Sequence, residues 1–201
     1  MSGPLPPGFY DVPAGNVATV VTHLEMTARP VPRPSPDIGS LTFVELDRDP
    51  DGYRDLFRRV GAEDWLWFSR LRLADVELNE ILRDPNVHLY TLSRDGQAEA
   101  LLELDFRTEG ECELAFFGVT PALLGTGAGR FLMNKAIEIA WAQPIHRFHV
   151  HTCTLDHPAA LSFYRRSGFV PVRQQIEIAP DPRLTGLLPE NAGPHIPIFP
   201  S

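Results

Sequence analysis

Between two irregular ends, the apolar positions of this chain change period repeatedly. Residues 17–26 and 41–46 are β-rich and read as strands, whereas 53–60 and 65–73 carry helical spacing. A short helix is expected over 75–83, stopped before Pro85. Strands at 87–93 and 98–108 are joined through Arg94-Asp95-Gly96, a strong hairpin signal, and 111–119 forms a third. After a glycine-rich turn at 125–129, Leu132, Met133, Ala136, Ile137, Ala140 and Trp141 set an apolar stripe on one helix face. A strand at 147–154 follows. The next helix is expected over 158–167: Pro158 suits its first turn, Asp156 its positive end and Gly168 its C-terminal cap. A strand at 170–178 closes the pattern. Three antiparallel strands followed by strand-helix-strand-helix-strand predict a mixed α/β fold, its central sheet mostly antiparallel and flanked by helices.

The ends differ in kind from the middle. Of the 20 prolines, eight fall in residues 1–36 and six in 180–201. Proline lacks the N–H and fixes φ, so stretches such as 29–36 and 194–200 are expected as extended arms on the surface, or as ligands for a partner's aromatic groove. The expected organisation is a proline-rich arm with one strand over 1–40, a folded body over 41–179 and a second proline-rich arm over 180–201.

The chain has 201 residues, about one domain's worth, and its 43% hydrophobic and 22% charged residues exclude global disorder. A net charge of −8 argues against a phosphate-backbone binder, so no nucleic-acid partner is expected. Cys112 and Cys153 form no spaced framework, which fits a reducing compartment. The N-terminus has neither a basic start nor an apolar run, and no stretch of about 18 apolar residues occurs. A soluble, cytoplasmic protein without a membrane partner is expected.

Leu124, Gly125, Thr126, Gly127, Ala128, Gly129 and Arg130 stand between a predicted strand and a predicted helix, where backbone N–H groups and the helix dipole bind anions. A phosphate-bearing ligand is the first expectation. The dinucleotide fingerprint needs glycine where Arg130 stands, and the P-loop pattern is absent, which weakens nicotinamide and ATP readings. His149, His151 and Cys153 alternate along one strand face and leave three readings open: a metal, an active-site histidine at 151, or packing. No fourth spaced ligand is apparent, so no metal is assigned. Trp65, Trp67 and Phe68 form the densest aromatic cluster, read as pocket wall, contact between two copies of the chain, or helix core. Asp75 and Glu77 nearby either attract an amine or are solvated.

Residues 113–121, the glycine-rich loop and 157–169, taken in that order, resemble the GNAT superfamily of acyl-CoA-dependent N-acyltransferases. The likeness covers 88–178 well, 41–87 in element order only, and neither arm. It implies a GNAT-like fold and acetyl-CoA as co-substrate. In the family's loop pattern [Q/R]-x-x-G-x-[G/A], Gly127 and Gly129 match while Leu124 replaces the polar first residue. The resemblance implies that the loop's main-chain amides hold the diphosphate of coenzyme A, and that the backbone of Phe117 and Val119 bonds the pantetheine arm beside a splayed neighbouring strand. His157, Ala160 and Tyr164 align with N-x-x-A-x-x-x-Y, which puts His157 and Ala160 at the cofactor and makes Tyr164 the candidate acid.

Direct attack of an amine on a thioester sets its own demands. An amine of pKa about 10.4 must lose a proton, for which Glu113, directly or through water, is the first candidate, its other reading being a solvated or hairpin-edge carboxylate. A departing thiolate resembles cysteine at about 8.5, and tyrosine near 10 is protonated and can donate to it. A backbone N–H near Val119 suits the charge that builds on oxygen. Cys153 as a covalent nucleophile lacks a legible His–Cys activation pattern. The function expected is transfer of an acetyl group from acetyl-CoA to a primary amine of a small molecule or peptide. A non-catalytic acyl-CoA-binding or regulatory module is the alternative.

Overall fold

The computed structural model describes residues 5–31 and 33–200; of the two arms, 1–4, Pro32 and Ser201 lie outside the described residues. The chain runs β1 (Asn16–Met26), β2 (Thr42–Glu45), α1 (Pro50–Phe57), a π-turn (Arg58–Ala62), α2 (Glu63–Trp65) and α3 (Asp75–Arg83). Then come β3 (Val87–Arg94), β4 (Gln97–Ala98), β5 (Ala100–Asp105), β6 (Glu111–Val119), α4 (Ala128–Ala140), β7 (Arg147–Cys153), α5 (Ala160–Arg166) and β8 (Val170–Pro180). One open sheet takes the order β2-β3-β5-β6-β7-β1-β8, with β4 paired to β3. Every pairing is antiparallel except β6 with β7. This is the mixed, mostly antiparallel α/β architecture expected, and helices cover both faces. α4, with Leu132, Met133 and Ala136 buried, packs with Tyr164 and Phe169 over one face. Tyr53, Leu56 and Phe57 of α1 and Leu78 and Leu82 of α3 fill the other. Among the described residues no helix is long and apolar enough to cross a membrane.

Local chemistry explains the main boundaries. Asp49 caps α1 by accepting from Gly52 N at 2.7 Å with Pro50 at the first position, and Glu77 accepts from Ala74 N at 2.8 Å to close the start of α3. Asp95 and Gly96 both take positive φ, 51° and 82°, the twist a two-residue hairpin requires. β1 lies inside the sheet, paired to β7 from Val21↔Cys153 to Met26↔Phe148 and to β8 from Asn16↔Pro180 onward. The C-terminal segment is also anchored. Buried Arg183 pairs with Asp181 at 2.7 Å and donates to the carbonyls of Ala192 and Ile196 at 3.2 and 2.8 Å.

Three expectations need correction. The helix expected over 65–73 is absent: Leu66 takes a left-handed conformation (φ 54°) and ends α2, and Trp67 N donates back to Gly61 O at 3.1 Å. The apolar spacing there serves burial of Leu66 and Leu71 along an irregular path. The strand expected over 98–108 is broken at Glu99 and ends at Asp105, whose side chain accepts from Arg107 N at 2.9 Å and forms a turn instead. The helix expected from 158 begins at Ala160, because Pro158 sits in the preceding turn and Asp156 spends its carboxylate elsewhere.

Candidate active site

β6 and β7 stay parallel partners over three residue pairs only, from Glu111↔Arg147 to Glu113↔His149, and then part. β6 changes register against β5 at the same place, from Leu104↔Leu114 to Glu103↔Phe116, so Ala115 is the extra residue of a bulge. Beyond the bulge no strand among the described residues pairs with the edge of β6 turned away from β5, and Phe117, Gly118 and Val119 line a groove of about 500 Å³ there. Phe117 and Val119 line one wall, Leu124, Gly125 and Gly129 the end, and Ala160 and Phe163 of α5 the other side.

The glycine-rich loop is shaped to leave its main chain bare. Gly125 and Gly127 have φ of 75° and 91°, which other residues rarely adopt, and a Cβ at Gly125 or Gly129 would meet nothing within 4 Å. The amides of Gly129 and Arg130 belong to the first turn of α4 and have no intrahelical acceptor. Thr126 is tied into the loop, its Oγ1 donating to Leu123 O at 2.8 Å, and Ala128 is buried. Gly127 faces Pro36 rather than the groove. Arg130 lies over the Phe163 ring at 5.0 Å and donates to Ser167 Oγ at 3.1 Å. His157 lines the groove, accepts from Ala159 N through Nδ1 at 3.0 Å, and sets its ring against Trp65.

A second, smaller cavity of about 160 Å³ opens on the other side and shares Trp65, Trp67, Phe117, Asp156 and Tyr164 with the groove. Tyr164 is 7% exposed, and among the described residues its hydroxyl has no hydrogen-bond partner; burial and the Asp156 charge hold its pKa above the ordinary value. His151 is on the wall of the smaller cavity, with Glu177 of β8 also lining it. Glu113 stands behind His151, their Oε1 and Nδ1 3.5 Å apart. The contact raises the His151 pKa against the effect of burial and lowers that of Glu113. The His23 ring of β1 lies tilted 5.9 Å from that of His151, and its pKa is pulled below the ordinary value, by burial first.

The other candidates part company. His149 turns to Glu111, 3.5 Å away, and burial lowers its pKa. Burial pushes the Cys153 thiol up to about 11, so it is protonated and a poor nucleophile at neutral pH. Among the described residues no group of three or more His, Cys, Asp or Glu is arranged to hold a metal. Asp75 pairs with Arg54 at 2.7 Å and Glu77 caps α3, so neither is held for a ligand. Trp65, Trp67 and Phe68 do line the smaller cavity.

Asp156, which the sequence assigned to a helix end, instead joins the two cavities. Its Oδ1 accepts from Trp67 Nε1 at 2.7 Å and its Oδ2 from Thr152 Oγ1 and Cys153 N at 2.7 and 2.8 Å. This fixes the indole where groove and cavity meet. Nothing in the sequence signals a bond between residues so far apart in the chain.

Comparison with known proteins agrees with this geometry. The model of the acetyltransferase (GNAT) family matches residues 50–169. Mycothiol acetyltransferase of Jonesia denitrificans is 27% identical over 142 residues, spanning 67% of this chain and 45% of that protein, so the chain covers about half the length of this curated relative. Among solved structures, a GCN5-related N-acetyltransferase from Sphaerobacter thermophilus superposes with a TM-score of 0.60 at 14% identity, covering 80% of this chain and 51% of the other. A GCN5-related N-acetyltransferase from Kribbella flavida gives 0.52 at 16% identity, covering 86% and 63%. At these identities the structures establish the fold.

Proposed function

Because the chain belongs to the acetyltransferase (GNAT) family, we propose that it transfers an acetyl group from acetyl-CoA directly to a primary amine of a small molecule or peptide. The observation that carries this reading is the parting of β6 from β7, which exposes a strand edge along a groove ending at a bare loop and a helix N-terminus. A diphosphate suits those free amides and the dipole behind them. A pantetheine arm carries amides that match the unpaired edge of Phe117 to Val119. Leu124, 54% exposed, offers no polar group, so binding at the loop rests on main chain.

The amine approaches through the smaller cavity, among Trp65, Trp67 and the carboxylate Glu177. His151 takes its proton, and Glu113 behind it stabilises the imidazolium that results. His151, rather than Glu113, is the proposed base because it reaches the cavity wall. The Tyr164 hydroxyl, unbonded where the two spaces meet, donates to the departing sulfur. A main-chain N–H near Val119 receives the charge that builds on the carbonyl oxygen.

Incubating the chain with acetyl-CoA and a panel of small amines and peptides should release free thiol in step with N-acetylated product. Acetyl-CoA binding without turnover on any amine overturns the transferase reading in favour of a binding module. The pH profile tests the base. His151 must be neutral to act, so kcat/KM rises with pH through its raised pKa. Glu113→Gln removes the main cause of that rise, and the acid limb should move to lower pH with a reduced plateau. His23, Asp156 and Glu177 remain around the ring as before. An acid limb that stays in place removes the pair from the mechanism.

A further inference from the structure

Between β1 and β2, Arg33 to Pro36 lie against α4 and bring a cation to a place where others already stand. Pro36 packs 3.0 Å from the position a Cβ would take on Gly127, Asn134 Nδ2 donates to Arg33 O at 3.1 Å, and Arg33 Nη1 donates to Arg166 O at 3.1 Å. Between this segment, α4 and the end of α5 lies a cavity of about 320 Å³ walled by Arg29, Arg33, Arg130, Asn134, Lys135 and Ser167. Its one carboxylate, Glu138, is bound to Lys135 at 2.9 Å. Among the described residues no carboxylate pairs with Arg33, Arg130 or Arg166. The guanidiniums feel one another: burial, then the charges of Arg33 and Arg166, lower the Arg130 pKa.

Guanidiniums gathered in a partly enclosed space and paired with no carboxylate among the described residues repel one another, in a chain whose total charge is −8. A phosphomonoester dianion is the group that several arginine forks bind best. The cavity is also next to the groove. Arg130 follows Gly129, which lines the groove's end, and rests on Phe163, which lines its side. In coenzyme A the 3′-phosphate is carried on the same ribose whose 5′ oxygen bears the diphosphate, one sugar ring away.

We propose that this cavity takes the 3′-phosphate of coenzyme A, with Arg33, from outside the family-matched region, completing the site that Arg130 begins. The inference rests on the acyl-CoA reading above. Calorimetric titration of the full chain with coenzyme A and with 3′-dephospho-coenzyme A tests it. The wild-type chain should bind coenzyme A at least about tenfold tighter, as a charge-assisted contact implies. Arg33→Ala should shrink the difference several-fold by weakening coenzyme A alone, since Arg29, Arg130 and Lys135 remain, and Arg33→Lys should restore part of it. Equal binding of both ligands by the wild type, or equal loss of both in Arg33→Ala, overturns the proposal and leaves the acyl-CoA reading standing. Failure of the wild type to bind either ligand overturns both.

Discussion

Tyr164→Phe should lower kcat by about 100-fold, the lower end of what a positioned proton donor contributes, while leaving coenzyme A affinity and thermal stability near wild type. The separation follows from the surroundings. The ring packs against Phe117, Phe163 and Phe169 at 5.9 to 6.3 Å, contacts phenylalanine keeps. The hydroxyl has no partner to lose among the described residues, so its removal orphans nothing. Its raised pKa keeps it protonated throughout the neutral range, so the wild-type profile should show no loss of rate from this group between about pH 6 and 9. Steady-state kinetics with the best amine from the panel, beside a melting curve, decide the matter. Turnover within about twofold of wild type would reduce Tyr164 to a wall residue.

Periodicity and turn chemistry made most of this fold legible, because each acts over a few residues. β-rich runs and their order along the chain marked β1, β3, β6 and β7. Asp95-Gly96 fixed a hairpin and the apolar stripe of 132–141 fixed α4. The site was legible where it is built from main chain: Gly127 and Gly129 between strand and helix mark an amide-lined turn whatever side chains surround it. What stayed hidden depends on contacts across the chain. The place of β1 between β7 and β8 comes from pairing Val21 with Cys153 and Asn16 with Pro180, which no local pattern encodes. The 65–73 segment has helical spacing yet is pulled out of helix, because Trp67 reaches Asp156 and Leu66 turns left-handed. Glu113 stood out by position on its strand, but only the fold puts His151 between it and the cavity.

A buried ionic cluster that sequence did not mark at all carries the largest stability prediction. Glu103, 0% exposed on β5, accepts from Tyr53 Oη of α1 at 2.5 Å and from Arg70 Nη2 at 2.5 Å. Arg70 comes from the irregular segment after α2, and its guanidinium also lies 4.9 Å over the Phe116 ring, which lines the smaller cavity. The three groups thus tie α1 and the 66–74 segment to the sheet beneath the candidate acceptor space. Arg70→Met keeps much of the stem's packing but strips Glu103 of its only cation among the described residues, leaving a core carboxylate with the Tyr53 phenol as its one remaining side-chain donor among them. The cost should be about 3 to 5 kcal/mol, against about 1 kcal/mol for an exposed pair. For a chain of this size that lowers Tm by roughly 10 °C. The double variant Arg70→Met with Glu103→Leu should recover part of the loss, since it buries no uncompensated charge but leaves the buried Tyr53 hydroxyl without its acceptor. A single variant melting within about 2 °C of wild type would mean that water reaches Glu103 and that the cluster does not hold the segment in place.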